Sequence, residues 1–459
     1  MDLKNIIKKI IPPFLFSIYH FFLAFLGAVI YGFSSKKMIV IGVIGTKGKT
    51  TTCNLIAQIL NYCGYKTGMA STVNFRIGDK VWINETKQTM LGRFQLQRLL
   101  KRMADEGCKY AVVETSYEGI LQHRHRFIDY DMAVFTNLSP EHIERHGSFE
   151  KYRSEKLKLF KMVAKKENGT GVYNLDDENV GHFLSVPVKN KWGYALKNNF
   201  QSSISLIAKR LQRSGLNFQS IFNVKNIQLS VNGSDFEIND TKFHTNLLGG
   251  FNVYNAAAAV CVALSQNISI EKIREALKIA KPTPGRMEII DAGQNFTAIV
   301  DYSYEPKGLE SALKAIRVFN PKRIIVLIGS AGGGRDKWRR PVMGEIADKY
   351  ADIIIITTDD PYDENPEKII DEVLAGVISS QGGSASGGKN PARKINENIF
   401  KINDRREAIK KAIEIAREGD AILFAGKGGE RWMNLAKGKK IPWDETKIVE
   451  GEIKKKARQ

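Results

Sequence analysis

The sequence predicts an α/β protein with a central domain, a C-terminal domain built on an open, mostly parallel sheet, and an apolar N-terminal helix. Three observations predict it. Met38–Asn54, MIVIGVIGTKGKTTTCN, reads as an apolar strand, a glycine turn and a helix start. Strand and helix patterns alternate from Met38 to about Lys281 and restart beyond Lys281-Pro282-Thr283-Pro284-Gly285, a hinge composition. Pro12–Phe33 is apolar apart from Ser17 and His20. The expected units are therefore residues 1–36, 37–281 and 282–459.

Composition bounds the reading. Of 459 residues, 43% are hydrophobic and 26% charged, ordinary for a protein with a sizeable core. The net charge is +20, but no stretch interleaves Arg and Lys with aromatics as a nucleic-acid face would. A solvated lysine-rich surface that handles anionic substrates fits better. Cys53, Cys63, Cys108 and Cys261 share no metal-ligand or CxxC spacing and read as free thiols of a reducing compartment.

The N-terminus, MDLKNIIKKII, is basic, and the apolar run after it is long enough for a membrane helix. A cleaved signal peptide does not fit, because the phosphate loop follows within about a dozen residues and needs cytoplasmic ATP. Lysines flank the run on both sides, so charge does not orient it. Three readings stay open: a helix on the membrane surface, a span with its N-terminus outside, or a helix packed on the protein.

In Gly45-Thr46-Lys47-Gly48-Lys49-Thr50-Thr51, glycines let backbone N–H groups and a helix N-terminus approach phosphate. Lys49 supplies charge for the outer phosphates, and a threonine hydroxyl can hold Mg²⁺. Lys109–Val113 reads as a strand ending at Glu114, a Walker-B-like position for a carboxylate on Mg²⁺. Asp131–Asn137 is another strand, and the loop after it carries His142 and His146. Ser148 caps a helix running to about Lys165. Residues 200–248 read as β-rich, with an Asn-Gly turn in IQLSVNGSDFEI. Gly249-Gly250 opens an alanine-rich helix to Ser265. Beyond the hinge, strands Thr297–Tyr302, Arg323–Gly329, Asp352–Thr358 and Ala421–Ala425 alternate with helices Pro306–Phe319, Val342–Tyr350, Pro366–Ser379 and Asp404–Arg417. Ser380–Asn396 reads as a flexible loop. The turn after Gly329 is not GxGxxG, so a nicotinamide reading is weak.

Eight segments occur in a fixed order: GTKGKTTT, ETSYEGILQHR, FTNLSPEHIERHGSFEKYRSEKLKLF, LGGFNVYNAAAA, PGRMEII, VDYSYEPKGLESAL, GSAGGGRDKWRRPVMG and AGKGGE. Together they resemble the Mur ligases, most closely the MurE (UDP-N-acetylmuramyl-tripeptide synthetase) type, from Met38 to about Asp444. The resemblance implies a central P-loop ATPase domain and a C-terminal Rossmann-like domain that closes on it. It implies a cytoplasmic, ATP- and Mg²⁺-dependent amide ligase of peptidoglycan synthesis, working through an acyl phosphate. The acceptor would be a UDP-muramyl-peptide, and the incoming group a diamino acid or another amino acid. Gly45–Thr51 would bind ATP, with Asn252, Asn255, Arg286 and Asp301 closing on the nucleotide. Thr51, Glu114, His142 and a carbamate on Lys156 would hold the metal. Thr89, Ser116, Gln122 and Arg124 match acceptor-binding positions. Arg335, Asp359, Asp360, Pro361, Tyr362, Gly426 and Glu430 match the amino-acid pocket.

The sequence also departs from the family. Lys47 replaces an Asn, Glu141 an Asp, and Tyr304 and Gly429 each a His. Asp359-Asp360-Pro361-Tyr362 stands where diaminopimelate-adding members carry DNPR. By charge alone, Asp360 would suit an amine-ended side chain such as lysine. The family's N-terminal uridine-binding domain is expected to be missing, and residues 12–33 are a candidate contact to the inner membrane face. Two rivals remain: an amide ligase with another acceptor, such as a polyglutamate or modified cell-wall product, and a membrane-associated P-loop NTPase.

Overall fold

The computed structural model describes residues 13–86, 88–139, 148–196, 218–379 and 393–458. Among them, eleven strands form one sheet: β1 (Ile39–Ile44), β2 (Thr67–Ala70), β3 (Asn74–Ile77), β4 (Lys80–Ile83), β5 (Tyr110–Glu114), β6 (Tyr130–Phe135), β7 (Thr170–Asn174), β8 (Asn190–Ala195), β9 (Ser220–Ser230), β10 (Gly233–Ile238) and β11 (Thr241–Thr245). Their order is β11-β10-β9-β8-β7-β6-β1-β5-β2-β3-β4.

The centre, β9 to β2, is parallel, and antiparallel hairpins finish both edges. β1 is IVIGVI and is buried from Val40 to Ile44. An unbroken apolar strand needs cover on both faces, which fixes it at the middle of a parallel sheet. Helices Lys49–Tyr62 and Gly250–Ser265 cover one face, and Arg93–Asp105 and Phe149–Val163 the other. Ala256–Ala259 are wholly buried, so small side chains let the alanine-rich helix approach the P-loop helix closely.

The second sheet comprises β12 (Glu288–Ile290), β13 (Thr297–Asp301), β14 (Ile324–Ile328), β15 (Ile353–Thr357), β16 (Ile399–Ile402) and β17 (Ala421–Ala425). Its order is β12-β13-β17-β14-β15-β16, parallel except at β12. Cores on both faces make it doubly wound. In such sheets ligands meet the carboxyl ends of the strands. Those ends carry Asp301, Gly329, Asp359 and Gly426.

Some expected elements shift. The helix read from Pro306 to Phe319 is α-helical only to Ile316, then tightens to a 3₁₀ turn. The helix read from Val342 begins at Arg339. The β-rich reading of residues 200–248 is met by the hairpin β9–β10 and by β11, while SLIAKRLQ lies outside the described residues. So does most of the loop read at 380–396.

The N-terminal helix, Pro13–Ile30, lies on the protein. Ala24 and Ala28 are buried, and Gly27 faces Arg93 and Gln97 of the helix Arg93–Asp105. Ser17 Oγ and His123 Nε2 are 2.8 Å apart, and the rings of Phe21 and Phe25 meet Phe127 edge-on. Among the described residues, no helix is long and apolar enough to cross a membrane. The spanning reading gives way to a docked helix of 18 residues.

Glycines set the closest helix crossing of the C-terminal unit. A Cβ on Gly376 would sit 1.8 Å from the Pro341 carbonyl oxygen, and one on Gly344 would sit 2.1 Å from that of Val373. Gly376→Ala is expected to destabilise by about 1–3 kcal/mol, because overpacking outweighs the helix propensity gained. Gly181→Ala, whose Cβ meets nothing within 4 Å, is the control. Denaturant midpoints of the two variants check this.

Candidate active site

The P-loop turn is held from behind by β6. Thr136 Oγ1 and Asn137 Nδ2 donate to the Lys47 carbonyl at 2.7 and 3.0 Å. Asn137 Oδ1 accepts from Lys47 N at 2.8 Å, and the Asn137 carbonyl accepts from Thr46 N at 2.9 Å. This fit demands glycine twice. A Cβ on Gly45 would meet Thr136 Oγ1 at 1.9 Å. Gly48 has φ +79°, and its Cβ would meet Asn255 Oδ1 at 2.2 Å. The helix Lys49–Tyr62 thus points its N-terminal end at the turn, with no side-chain cap from Gly48.

Lys49 Nζ donates to the carbonyls of Gly45 and Thr46 at 3.0 and 2.9 Å. Lys156 arrives from the opposite side, on the helix Phe149–Val163, which Ser148 caps. Lys156 is 1% exposed. Its Nζ donates to Gly45 O at 2.7 Å and lies 4.5 Å from the Tyr152 ring centre. Glu114 is 2% exposed and accepts from Thr50 Oγ1 at 3.0 and 3.1 Å and from Thr72 N at 2.8 Å.

The hydroxyl on Glu114 therefore belongs to Thr50. Thr51, which the resemblance pairs with Glu114, lines the same cavity one residue on. His142 lies outside the described residues. Among the described residues, no group of three or more His, Cys, Asp or Glu could hold a metal.

That cavity, of about 460 Å³, lies between the two sheets. Asn252, Asn255, Arg286 and Asp301 line it together with the P-loop. Asn255 Nδ2 donates to Asn252 Oδ1, and Asn255 Oδ1 accepts from Thr52. Arg286 stacks 4.1 Å over the Tyr302 ring. Asp301 accepts from Met287 N and from Ser303 Oγ. Lys47 bridges the units: its Nζ lies 2.9 Å from Glu305 and 4.6 Å from the Tyr304 ring centre. Two departures from the family pattern, Lys47 and Tyr304, thus touch each other.

Three of the acceptor-binding candidates share one locality. Gln122 Oε1 accepts from Arg124, and Arg124 also reaches Gln88 and the Met90 carbonyl. Ser116 caps the short helix Tyr117–Leu121. Thr89 accepts from Thr72 Oγ1, and Thr72 N holds Glu114, so this locality adjoins the P-loop side.

The amino-acid candidates gather at the ends of β15 and β17 around a residue that the sequence reading missed. Lys427, fully buried, donates to Asp360 Oδ1 at 2.8 Å, Glu430 Oε2 at 2.7 Å and the Trp432 carbonyl at 2.9 Å. Asp359 lies 3.6 Å from it. Burial alone would favour a neutral Lys427, but Glu430, Asp359 and Asp360 overcome this and raise its pKa. Burial also pushes the Asp359 carboxyl up, against the pull of Lys427. Asn434 donates twice more to Asp360. Asp360 is therefore paired with the protein's own groups rather than left open to an incoming lysine, as charge alone suggested. Its partner was visible as the Lys of AGKGGE, but nothing local pairs positions 67 residues apart.

Tyr362 has φ +51°, a strained conformation for a non-glycine. Its hydroxyl accepts from Asn434 at 3.2 Å, and it hydrogen-bonds Arg335. Pro361 turns its carbonyl toward Gly332, where a Cβ would meet it at 2.2 Å. Gly426, at φ +113°, leaves room for Asp359, since a Cβ there would lie 2.8 Å from Oδ2.

Lys427→Met leaves the buried Asp359 and Asp360, and the half-buried Glu430, without the Lys427 cation. It is expected to destabilise by about 3–5 kcal/mol, as breaking a buried pair from one side does. Equilibrium unfolding of the variant measures it.

Comparison with known proteins accords with this geometry. Residues 43–263 match the Mur ligase middle domain, and residues 285–428 match the Mur ligase glutamate ligase domain. The chain is 35% identical to a UDP-N-acetylmuramoyl-L-alanyl-D-glutamate--2,6-diaminopimelate ligase of Geobacillus kaustophilus, over 95% of this chain and 82% of the relative. It is also 35% identical to a UDP-N-acetylmuramyl-tripeptide synthetase of Roseiflexus, over 92% and 80%. Among solved structures, a diaminopimelate ligase of the same description is similar at TM-score 0.59 and 27% identity, covering 92% of this chain and 79% of that one. Folylpolyglutamate synthase of Mycobacterium tuberculosis shares the fold at TM-score 0.65 and 15% identity, over 88% and 92%. Phosphate loop, interdomain cavity and sequence kinship agree, and the chain belongs to the Mur ligase family.

Proposed function

We propose that this chain is a MurE-type, ATP-dependent ligase that joins an amino acid to the carboxylate of a muramyl peptide in peptidoglycan synthesis. The convergence of Lys49 and Lys156 on one P-loop carbonyl, with Thr50 and Glu114 beside that loop, carries the reading. Residues 37–281 would hold ATP and the acceptor, and residues 282–459 the amino acid. Gly45–Thr51 and Lys49 would hold the phosphates of ATP, and Asn252, Asn255, Arg286 and Asp301 would close on the nucleotide. An acceptor carboxylate oxygen attacks the γ-phosphorus, the bond to ADP breaks, and an acyl phosphate forms. The amine then attacks the acyl carbon, the C–N bond forms, phosphate leaves, and the amine gives up a proton.

Glu114, buried against neutral donors, is a hard oxygen ligand that suits Mg²⁺, and the Thr50 hydroxyl adjoins it. Bound Mg²⁺ would neutralise charge developing on the phosphoryl oxygens. An ammonium at Lys156 would repel that cation. We assign a carbamate there: the ammonium gives up a proton, the neutral Nζ bonds to the carbon of CO₂, a second proton leaves, and the product is an anionic oxygen ligand. His142 would complete the set.

Ser116, Gln122, Arg124 and Thr89 would position the acceptor. With Lys427 held by its own carboxylates, Arg335 is the cation we assign to a carboxylate of the incoming amino acid. Tyr362 cannot pair a distal carboxylate by charge. Residues 12–33 would contact a membrane surface at its cytoplasmic face.

Lys49→Ala is expected to abolish ATP turnover with the fold intact. Phosphate release should need both acceptor and amino acid; release that needs neither would leave a P-loop NTPase. Lys156→Ala should lose most activity and regain part of it with added short carboxylates. An active enzyme whose intact mass stays unmodified under saturating bicarbonate refutes the carbamate. Diaminopimelate should be preferred over lysine by less than about a hundredfold, the discrimination one charged pair can supply. A steady-state comparison of the two amines decides it.

A further inference from the structure

The helix Pro13–Ile30 is apolar all round, yet only one stripe of it is docked. Ser17, Phe21, Ala24, Gly27 and Ala28 face the protein at helical spacing. The other stripes are open: Phe14 is 62% exposed, Ile18 47%, Phe22 62%, Leu26 48% and Val29 47%. Ten of the twenty exposed large hydrophobics among the described residues lie on this helix, so the patch is continuous rather than scattered. A contiguous apolar patch of this kind marks a surface that something covers.

Charge points to the occupant. Lys36 and Lys37 are exposed just beyond the helix, and Lys4, Lys8 and Lys9 precede it in sequence. Arg93, Arg126 and Lys158 lie near His123, on which the helix is docked, with Glu155 the one acidic group among them. The whole chain carries +20. Apolar side chains within a basic surround suit the headgroup–acyl boundary of an anionic bilayer, where an 18-residue helix lies flat over roughly 27 Å. His20 does not oppose this. Burial, with Arg93, His123 and Arg124 close by, lowers its pKa to about 4, so it stays neutral near pH 7.

The docked end adjoins the acceptor locality. Ser17 touches His123, which stands between Gln122 and Arg124. Arg93, against which Gly27 packs, donates to the Gln122 carbonyl. We infer that this helix seats the enzyme on an anionic membrane, and that the acceptor reaches Gln122 and Arg124 from that membrane, carried by a lipid. The inference rests on the ligase reading for the identity of the acceptor.

The full chain is tested with phosphatidylglycerol-containing vesicles, phosphatidylcholine vesicles and no lipid, beside the variant F22E/L26E/V29E. These three side chains are open, so the variant should keep its unfolding midpoint. The full chain should sediment with anionic vesicles, and the variant should bind them at least about tenfold more weakly. Ligation is then measured on a muramyl-dipeptide acceptor linked to UDP in solution and on the same peptide linked to a polyprenyl phosphate in vesicles. The lipid-borne acceptor should be used at least about tenfold better by the full chain, and the variant should lose that advantage while keeping its rate on the soluble acceptor. No vesicle binding overturns the inference. So does a lipid-free dimer that the variant splits, which would make a second copy the occupant. Vesicle binding with the UDP-linked acceptor preferred overturns the lipid carrier. Ligation of neither acceptor, with vesicle binding retained, counts against the ligase reading instead.

Discussion

Two lysine side chains on one peptide carbonyl are the constraint around which the rest of the site is arranged. Lys49 reaches Gly45 O from the helix that follows the turn, and Lys156 reaches it from a helix more than a hundred residues later. Two side chains can share one carbonyl oxygen only where the backbone that carries it is held in place, and Thr136 and Asn137, just after β6, hold this turn. That contact in turn forbids a side chain at position 45. Strand order follows the same logic. β1 must lie between β5, which delivers Glu114, and β6, which braces the turn.

The C-terminal unit solves a different problem, pairing charge that is buried. Lys427 meets Asp360 and Glu430, and Arg405 meets Glu445 with its other N–H groups on the carbonyls of Thr358 and Ala425. Such networks add little net stability compared with apolar packing, but they fix geometry. Here they hold the turns after β15 and β17 in one arrangement, which sets where Arg335 and Tyr362 stand.

Much of this was legible in the sequence because the information was local. An apolar strand, a glycine turn and Lys-Thr occupy consecutive positions. What was illegible depended on phase or distance. Whether Thr50 or Thr51 faces Glu114 is a matter of one residue's rotation on a helix, about 100°. The partner of Asp360 lies 67 residues away in sequence. Docking of the N-terminal helix stayed one of three readings because Ala24, Gly27 and Ala28, on its inner stripe, differ from the outer Phe22, Leu26 and Val29 in size rather than polarity. Hydropathy registers no such difference, whereas packing depends on it.

The ion pair between Lys47 and Glu305 makes the phosphate loop itself part of the joint between the two units. Separating the units breaks a contact at the phosphate loop, so, with ATP held there as proposed, interdomain angle and nucleotide affinity are two readings of one equilibrium. By reciprocity, whatever tightens the joint tightens the nucleotide by the same factor. A residue exchange at the rim of the loop is therefore also a change in how widely the enzyme opens.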